Sequence, residues 1–226
     1  TLHLQNKDIV YGIYHQSKHN LQAPISYFSL NECLEQNIQY HKIYLIGSYI
    51  PWGEWNSVET KVWDSNVVLV DKLLNAFSNA KFVFASSISV YESSLHIDEK
   101  SSLACNNIYG ATKVIAEKLI TQKSDSYAIH RISSLFGEGM SSAPFLAQVI
   151  QQCLTKKEIT LYGKATRLQN YIHVKDAAQM MFLSSFHDEN RIYLTTFNES
   201  FSNKQVAETV QKCFNDVQIK YIKEDN

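Results

Sequence analysis

The sequence predicts an α/β protein: a doubly wound, mainly parallel sheet followed by a smaller C-terminal subdomain. Three observations lead there. Short β-rich apolar runs at 8–14, 25–28, 42–46, 81–85 and 127–132 alternate with stretches of helical periodicity. Strand, helix, strand in succession is the signature of a parallel sheet covered on both faces. The run Lys81-Phe82-Val83-Phe84-Ala85 is apolar at both phases of a strand, as a central strand must be.

The elements follow in order. Within 57–76, Val58, Val62, Leu69 and Leu73 recur at helical spacing, and within 108–120 Ile108, Ala111, Ile115 and Leu119 do the same. Beyond them the character changes. Helices are expected at 144–154, 177–185 and 203–214, and short strands at 159–162 and 170–174. Asn203 is expected to cap the last helix, because a short polar side chain accepts from free N–H groups. Residues 1–135 are read as the sheet domain and 136–226 as the smaller subdomain. With 7 Gly and 3 Pro in 226 residues, loops are expected to be short or polar.

Composition excludes several classes of function. A net charge of -1 carries no basic footprint for nucleic acid. No apolar run is long enough to cross a bilayer and no signal peptide opens the chain, so no membrane partner and a cytoplasmic location are expected. The four cysteines, Cys33, Cys105, Cys153 and Cys213, form no C-x-x-C pair and are read as reduced, buried thiols. The eight histidines show no ligand spacing, so no catalytic metal is expected.

The chemistry-bearing pattern is Tyr109-Gly110-Ala111-Thr112-Lys113. Tyr-x-x-x-Lys occurs twice more, at Tyr14–Lys18 and Tyr171–Lys175, but both fall on strand segments or their ends. Four residues along a strand separate two side chains widely, whereas on a helix i and i+4 are neighbours. A free phenol has a pKa of about 10, and an ammonium beside it favours the phenolate. Such a phenolate removes a hydroxyl proton while hydride leaves the same carbon. A third group should hold the substrate oxygen. The strand at 81–85 ends directly in Ser86-Ser87-Ile88-Ser89, and ligands of open α/β sheets bind outside the carboxyl ends of strands. Ser87 and Tyr109 are thus expected to approach one site from two elements.

With these segments the chain resembles the extended short-chain dehydrogenase/reductase family, the NAD-dependent epimerase/dehydratase group. The stretch Phe82 to Tyr91 is similar to that family's catalytic-serine strand, and Ile108 to Lys113 with Ala116-Glu117 to its catalytic helix. Arg131 with Phe136-Gly137-Glu138-Gly139 resembles its next strand and loop, and Tyr171 to Ala178 a late conserved segment. The resemblance implies a Rossmann-like dinucleotide-binding domain at 1–135 and a substrate-binding subdomain at 136–226. It implies Ser87 as the binder of the substrate oxygen, Tyr109 as general base, and Lys113 as the holder of the cofactor ribose that also tunes Tyr109. Gly47 and Ser48 match small residues beside the cofactor, Asn66 matches the helix Asn that supports the site, and Ser86 joins the cofactor contacts. NAD is the implied cofactor, a nucleotide-diphosphate sugar the implied substrate, and a homodimer built on helices 57–76 and 108–120 the implied assembly.

Departures from the pattern shape the expectation. The family's glycine-rich phosphate loop is expected ahead of residues 2–7, which read as the end of the helix after it, and the family continues beyond Asn226. A fragment is therefore expected. Strand 8–14 ends in Tyr14-His15 where NAD users carry an Asp, so His15 and Lys18 keep NADP open, with a solvated strand end as the other reading. Ser87-Ile88-Ser89 lacks the Asp-Glu pair of the family's dehydratases. Loss of water needs an acid at the leaving hydroxyl, which favours an epimerase or ketoreductase. Ser134 stands where the family has Asn, and Gln169 where it has its phosphate Arg. Arg167, two residues earlier on the same strand face, is either a diphosphate contact or a solvated loop residue. Ser89 and Ser134 complete the substrate set. Trp52 and Trp55 either wall the site or pack. Two rivals stand beside the enzyme: a catalytically silent binding subunit, and a ketoreductase of a non-sugar alcohol.

Overall fold

The computed structural model describes residues 9–14, 26–36, 38–51, 59–92, 94 and 96–222. The described chain falls into two compact units, residues 1–131 with 178–194 and residues 132–177 with 195–226.

In the first unit, β1 (Tyr11–Tyr14) pairs in parallel with β2 (Ser26–Ser29). β2 runs into the short helix α1 (Leu30–Glu35), whose capping box is built by Ser29 and Glu32. The main sheet has the order β3-β4-β5-β9, with β3 at Lys42–Leu45, β4 at Lys81–Ser87, β5 at Tyr127–Ile132 and β9 at Arg191–Thr195. β3 and β4 run parallel, with Leu45 opposite Phe84. As its composition predicts, β4 is central: Lys81 to Ser86 are all buried. Phe82 and Phe84 pack against Leu73, Leu74, Ala116, Ile120 and Ile129, which belong to the core cluster of this unit.

The helical stretch expected at 57–76 is three pieces: α2 (Glu59–Trp63), a π-helical turn at Asp64–Val68, and α3 (Leu69–Ala76). Residues 57 and 58 lie outside the described residues. A π turn widens the helix by one residue and is found mostly where a side chain must be re-aimed. Here it carries Asn66, which is 2% exposed. Next comes α4 (Ile108–Lys123), capped by the Asn107 side chain, whose Oδ1 accepts from Gly110 N at 2.8 Å.

The second unit holds β6 (Ser134–Phe136), α5 (Phe145–Lys156), β7 (Glu158–Tyr162), β8 (Leu168–His173), β10 (Ser200–Ser202), α7 (Asn203–Gln211) and β11 (Gln218–Ile222). β8 lies between β10, antiparallel, and β6, parallel, while β7 pairs in parallel with β11. Val149, Cys153, Ile159, Leu161, Val206 and Val210 form its core. Helix α6 (Val174–Ser184) begins in this unit and ends in the first.

Three expectations need correction. The subdomain is not contiguous from 136, because residues 178–194 return to the first unit and supply β9. Asn203 is not the cap of α7. Ser202 is, its Oγ accepting from Gln205 N at 3.2 Å while the Gln205 side chain accepts from Ser202 N at 2.8 Å. The short elements β6, α1, β9, β10 and β11 carry too few residues for a readable period. The cysteines are not uniformly buried: Cys33 and Cys153 are, whereas Cys105 and Cys213 are exposed. Among the described residues, no helix is long and apolar enough to cross a membrane.

Candidate active site

The site forms at the carboxyl ends of two parallel neighbours, β3 and β4, and at the start of α4. Strand β4 ends at Ser87, which caps a 3-10 turn at Ile88–Val90. Ser87 Oγ accepts from Ser89 N and donates to Ser89 Oγ, both at 3.1 Å. Helix α4 lies directly against this turn. An added Cβ on Gly110 would stand 2.3 Å from Ser89 O, so only glycine permits the approach. That close packing brings Tyr109 to the serine turn.

Hydroxyls from both strand ends act on the Tyr109 phenol: Ser48, three residues beyond β3, and Ser87. Each favours the phenolate, yet burial outweighs them and pushes the phenol above its usual value. The sequence expectation of a phenol depressed by its lysine is thereby corrected for this state. The cause is the burial of the phenol. Lys113 is itself 1% exposed, and burial brings its pKa down to about 7, against the opposing pull of Glu117. Lys113 Nζ stands 5.7 Å from the Tyr109 ring centre and 4.6 Å from that of Phe84, and donates to Ala85 O at 2.7 Å. An ammonium has three donors, and Ala85 takes one of them.

Asn66, matched to the helix Asn that supports the site and counted with the cofactor contacts, is a buttress between elements. Its Oδ1 accepts from Tyr49 N at 2.8 Å, and its Nδ2 donates to Tyr49 O at 3.0 Å and Thr112 Oγ1 at 3.2 Å. It thus ties the loop bearing Ser48 to the helix bearing Tyr109 and Lys113. Ser86 is likewise turned inward. Its Oγ donates to Glu117 Oε1 at 2.5 Å, so its hydroxyl is engaged within the interior. At Gly47, beyond the end of β3, an added Cβ would meet nothing within 4 Å.

The remaining candidates separate. Ser134 opens β6 opposite Tyr171 of β8, in the second unit. Arg167 is exposed and lies one residue before β8, so the same-face argument that placed it on the strand does not hold. Asn170 is occupied locally, donating to Phe197 O and Glu199 O and accepting from Phe197 N. His15, Lys18, Trp52 and Trp55 lie outside the described residues. Sequence reasoning overlooked the partners Thr112, Tyr91 and Glu117. A signal was there: 113, 116, 117 and 120 form one helical stripe, and two of its four positions are charged.

The chain matches the model of the NAD dependent epimerase/dehydratase family over residues 7–194. It belongs to that family. Among curated proteins it is 29% identical over 122 residues to the "Uncharacterized UDP-glucose epimerase YtcB" of Bacillus subtilis (strain 168). That match covers 50% of this chain and 39% of the relative, so it spans less than half of the relative's length. A solved structure, MoeE5 in complex with UDP-glucose and NAD, superposes with a TM-score of 0.74 at 21% identity, covering 88% of this chain and 73% of that one. The UDP-N-acetylglucosamine 4-epimerase of Methanobrevibacter ruminantium M1 gives 0.77 at 20% identity, covering 96% and 78%. At such identities the likeness is one of fold, and the fold is the doubly wound Rossmann type.

NAD is the cofactor of this family. The residues present fit it on two observations: the open space at Gly47 beyond β3, and a buried lysine ammonium with donors beyond the one held by Ala85.

Proposed function

We propose that the chain is the catalytic part of an enzyme that epimerises or reduces a nucleotide-diphosphate sugar through a keto intermediate, with Tyr109 as acid and base. The observation that carries this reading is the convergence of the Ser48 and Ser87 hydroxyls on the Tyr109 phenol, with Lys113 one helical turn on. NAD, held at Gly47 and Lys113, supplies reversible hydride transfer when bound.

The chain's own residues then divide the labour. Ser87 holds the sugar oxygen at the carboxyl end of β4. Tyr109 takes the proton of that hydroxyl and returns it when the keto group is reduced. Ser48 shares the proton of the phenol and keeps it aimed. Lys113 holds a ribose hydroxyl with its free donors and stabilises the phenolate as it forms. Asn66 keeps Ser48 and α4 in register through Tyr49 and Thr112. Ser89 donates to no acid function. Its hydroxyl is bonded to Ser87, and no carboxylate stands at 88 or 89, which favours epimerisation or reduction over loss of water. The exposed Trp63 on α2 suits the homodimer face that the helical run 59–76 would share with α4.

The test uses the full-length protein. NAD titration by fluorescence and thermal shift with UDP-sugars should each give saturable binding. Tyr109→Phe should lower turnover by about 100-fold or more while leaving NAD affinity nearly unchanged. A variant that keeps most of its turnover would overturn the role of Tyr109, and absence of NAD binding would favour a silent binding subunit.

A further inference from the structure

Behind the site lies a buried charge network that the proposed reaction does not use. Glu117, on α4, is 3% exposed, and Arg131, on β5, is 4% exposed. Arg131 Nη2 donates to Glu117 Oε2 at 2.7 Å, and its Nε reaches Oε1 at 3.1 Å and Oε2 at 3.3 Å. Ser86 Oγ adds a bond to Oε1 at 2.5 Å. The other arm of the guanidinium, Nη1, donates to Tyr91 Oη at 2.8 Å and to Glu99 O at 3.3 Å. Both carboxylate oxygens and both arms of the fork are satisfied.

Such a pair is a poor way to gain stability. Desolvating two charges consumes most of their attraction, and an apolar pair of like volume often serves as well. Position suggests another use. Glu117 is four residues beyond Lys113, so the two side chains emerge from the same helix face about 5–6 Å apart at Cβ. Adjacent residues of β4 hold both side chains: Ala85 O accepts from Lys113 Nζ at 2.7 Å and Ser86 Oγ donates to Glu117 at 2.5 Å. Both side chains are buried, so their charges meet with little screening by water.

We propose that Glu117 is a positioning residue for Lys113: held by Ser86 and Arg131, its carboxylate supplies, one helical turn away, the negative charge that keeps the buried ammonium balanced and aimed beside Tyr109. The inference rests on the assignment of Tyr109 and Lys113 to the active site. The titratable and charged groups around this region are Tyr109 on the same helix, Tyr91 after the 3-10 turn, Glu99 before α4, Arg131 on β5, and Asp64 and Asp71 on the helical run 59–76. Asp71 is already engaged by Lys123 at the surface. Of these charged groups, Glu117 is the one that acts on Lys113, opposing the effect of burial.

The test reads Lys113 directly and needs no turnover. The full chain, labelled at lysine Cε, is titrated by NMR, with Lys113→Met to assign the signal. Wild-type Lys113 should titrate near 7. Glu117→Gln should lower its proton affinity by about tenfold or more, equal to about 1.4 kcal/mol, and Glu117→Asp should recover most of the loss. Because Glu117→Gln strands a buried guanidinium, Glu117→Gln/Arg131→Met serves as the second variant, with a smaller fall expected, since loss of the guanidinium's positive charge offsets part of the loss of the carboxylate. A Lys113 that titrates within about twofold of wild type in folded Glu117→Gln, or no lower than wild type in the double variant where the single one does not fold, overturns the proposal. So does loss of the fold in both, which would make the pair a scaffold element. NAD titration of the wild type runs alongside. Failure there with the Lys113 shift intact would sink the active-site reading and leave the electrostatic link standing.

Discussion

Gly110→Ala sets two effects against each other, and the geometry decides between them. Alanine favours a helix over glycine by about 0.8–1 kcal/mol in a helix interior, less in a first turn. The new methyl, however, would stand 2.3 Å from Ser89 O and 3.2 Å from Ser89 C. Ordinary contact begins about 1 Å further out, and the obstacle is backbone that no rotamer change can remove. Relief requires the start of α4 to retreat from the 3-10 turn at 88–90 by about that distance. Overpacking of this kind costs about 1–3 kcal/mol, so net destabilisation of about 1–2 kcal/mol is expected. For a chain of this size that lowers Tm by about 2–8 °C. Tyr109 is the neighbour of Gly110 and rides on the same turn, so it moves away from Ser87. A misplacement of about 1 Å between reacting groups lowers turnover by about 100-fold. Calorimetry or urea unfolding, paired with turnover on the same samples, measures both. A Gly110→Ala protein as stable as wild type or more so would show that helix propensity wins, and the argument from close approach would fall.

Three further outcomes are expected. Asn66→Ala leaves Tyr49 N and Tyr49 O without their side-chain partner and should cost about 2–3 kcal/mol, with faster hydrogen exchange across 46–51; unchanged exchange there would contradict the buttress role. His130 is buried against Ser184 and stacked on Tyr193, and desolvation lowers its pKa from 6.5 to about 4. The unfolded chain thus binds the proton more readily, so stability is full above about 6.5 and falls by about 3 kcal/mol as pH drops to about 4. His130→Asn should flatten that decline in urea titrations, and an equal slope in both proteins would exclude His130 as its source. Lys157 holds a left-handed backbone at φ 51 at the C-terminus of α5, exposed to solvent. Lys157→Gly should raise stability by about 0.5–1 kcal/mol by removing the Cβ strain, checked by urea midpoint; a lowered midpoint would refute it.

Much of the fold was legible because its signals are local. The apolar run of 81–85 and the helical spacing of 108–120 identify β4 and α4, and each element is long enough to show its character. The three-residue strands β6 and β10 show none, and their pairing with β8, whose strand the sequence places at 170–174, is found only by folding. The trio Ser87, Tyr109 and Lys113 was legible for the same reason: one pair is set by helical spacing, and one serine by the end of a strand. Type and position name Ser86 and Asn66 as polar residues near the cofactor and the site but cannot say which way they face. In the fold both face inward.

By itself the sequence determined the alternation of the longer strands and helices, the spacing that puts Tyr109 and Lys113 on one helix face, and the serines that end and follow β4. Those are properties of periodicity, which needs only neighbours along the chain. The tertiary structure alone decided that Tyr109 is pushed up and Lys113 down in pKa, that Asn66 spans two elements, and that Glu117 meets Arg131 from another strand. Charge states and cross-element bonds depend on burial and on groups far apart in the chain, and neither exists until the chain has folded.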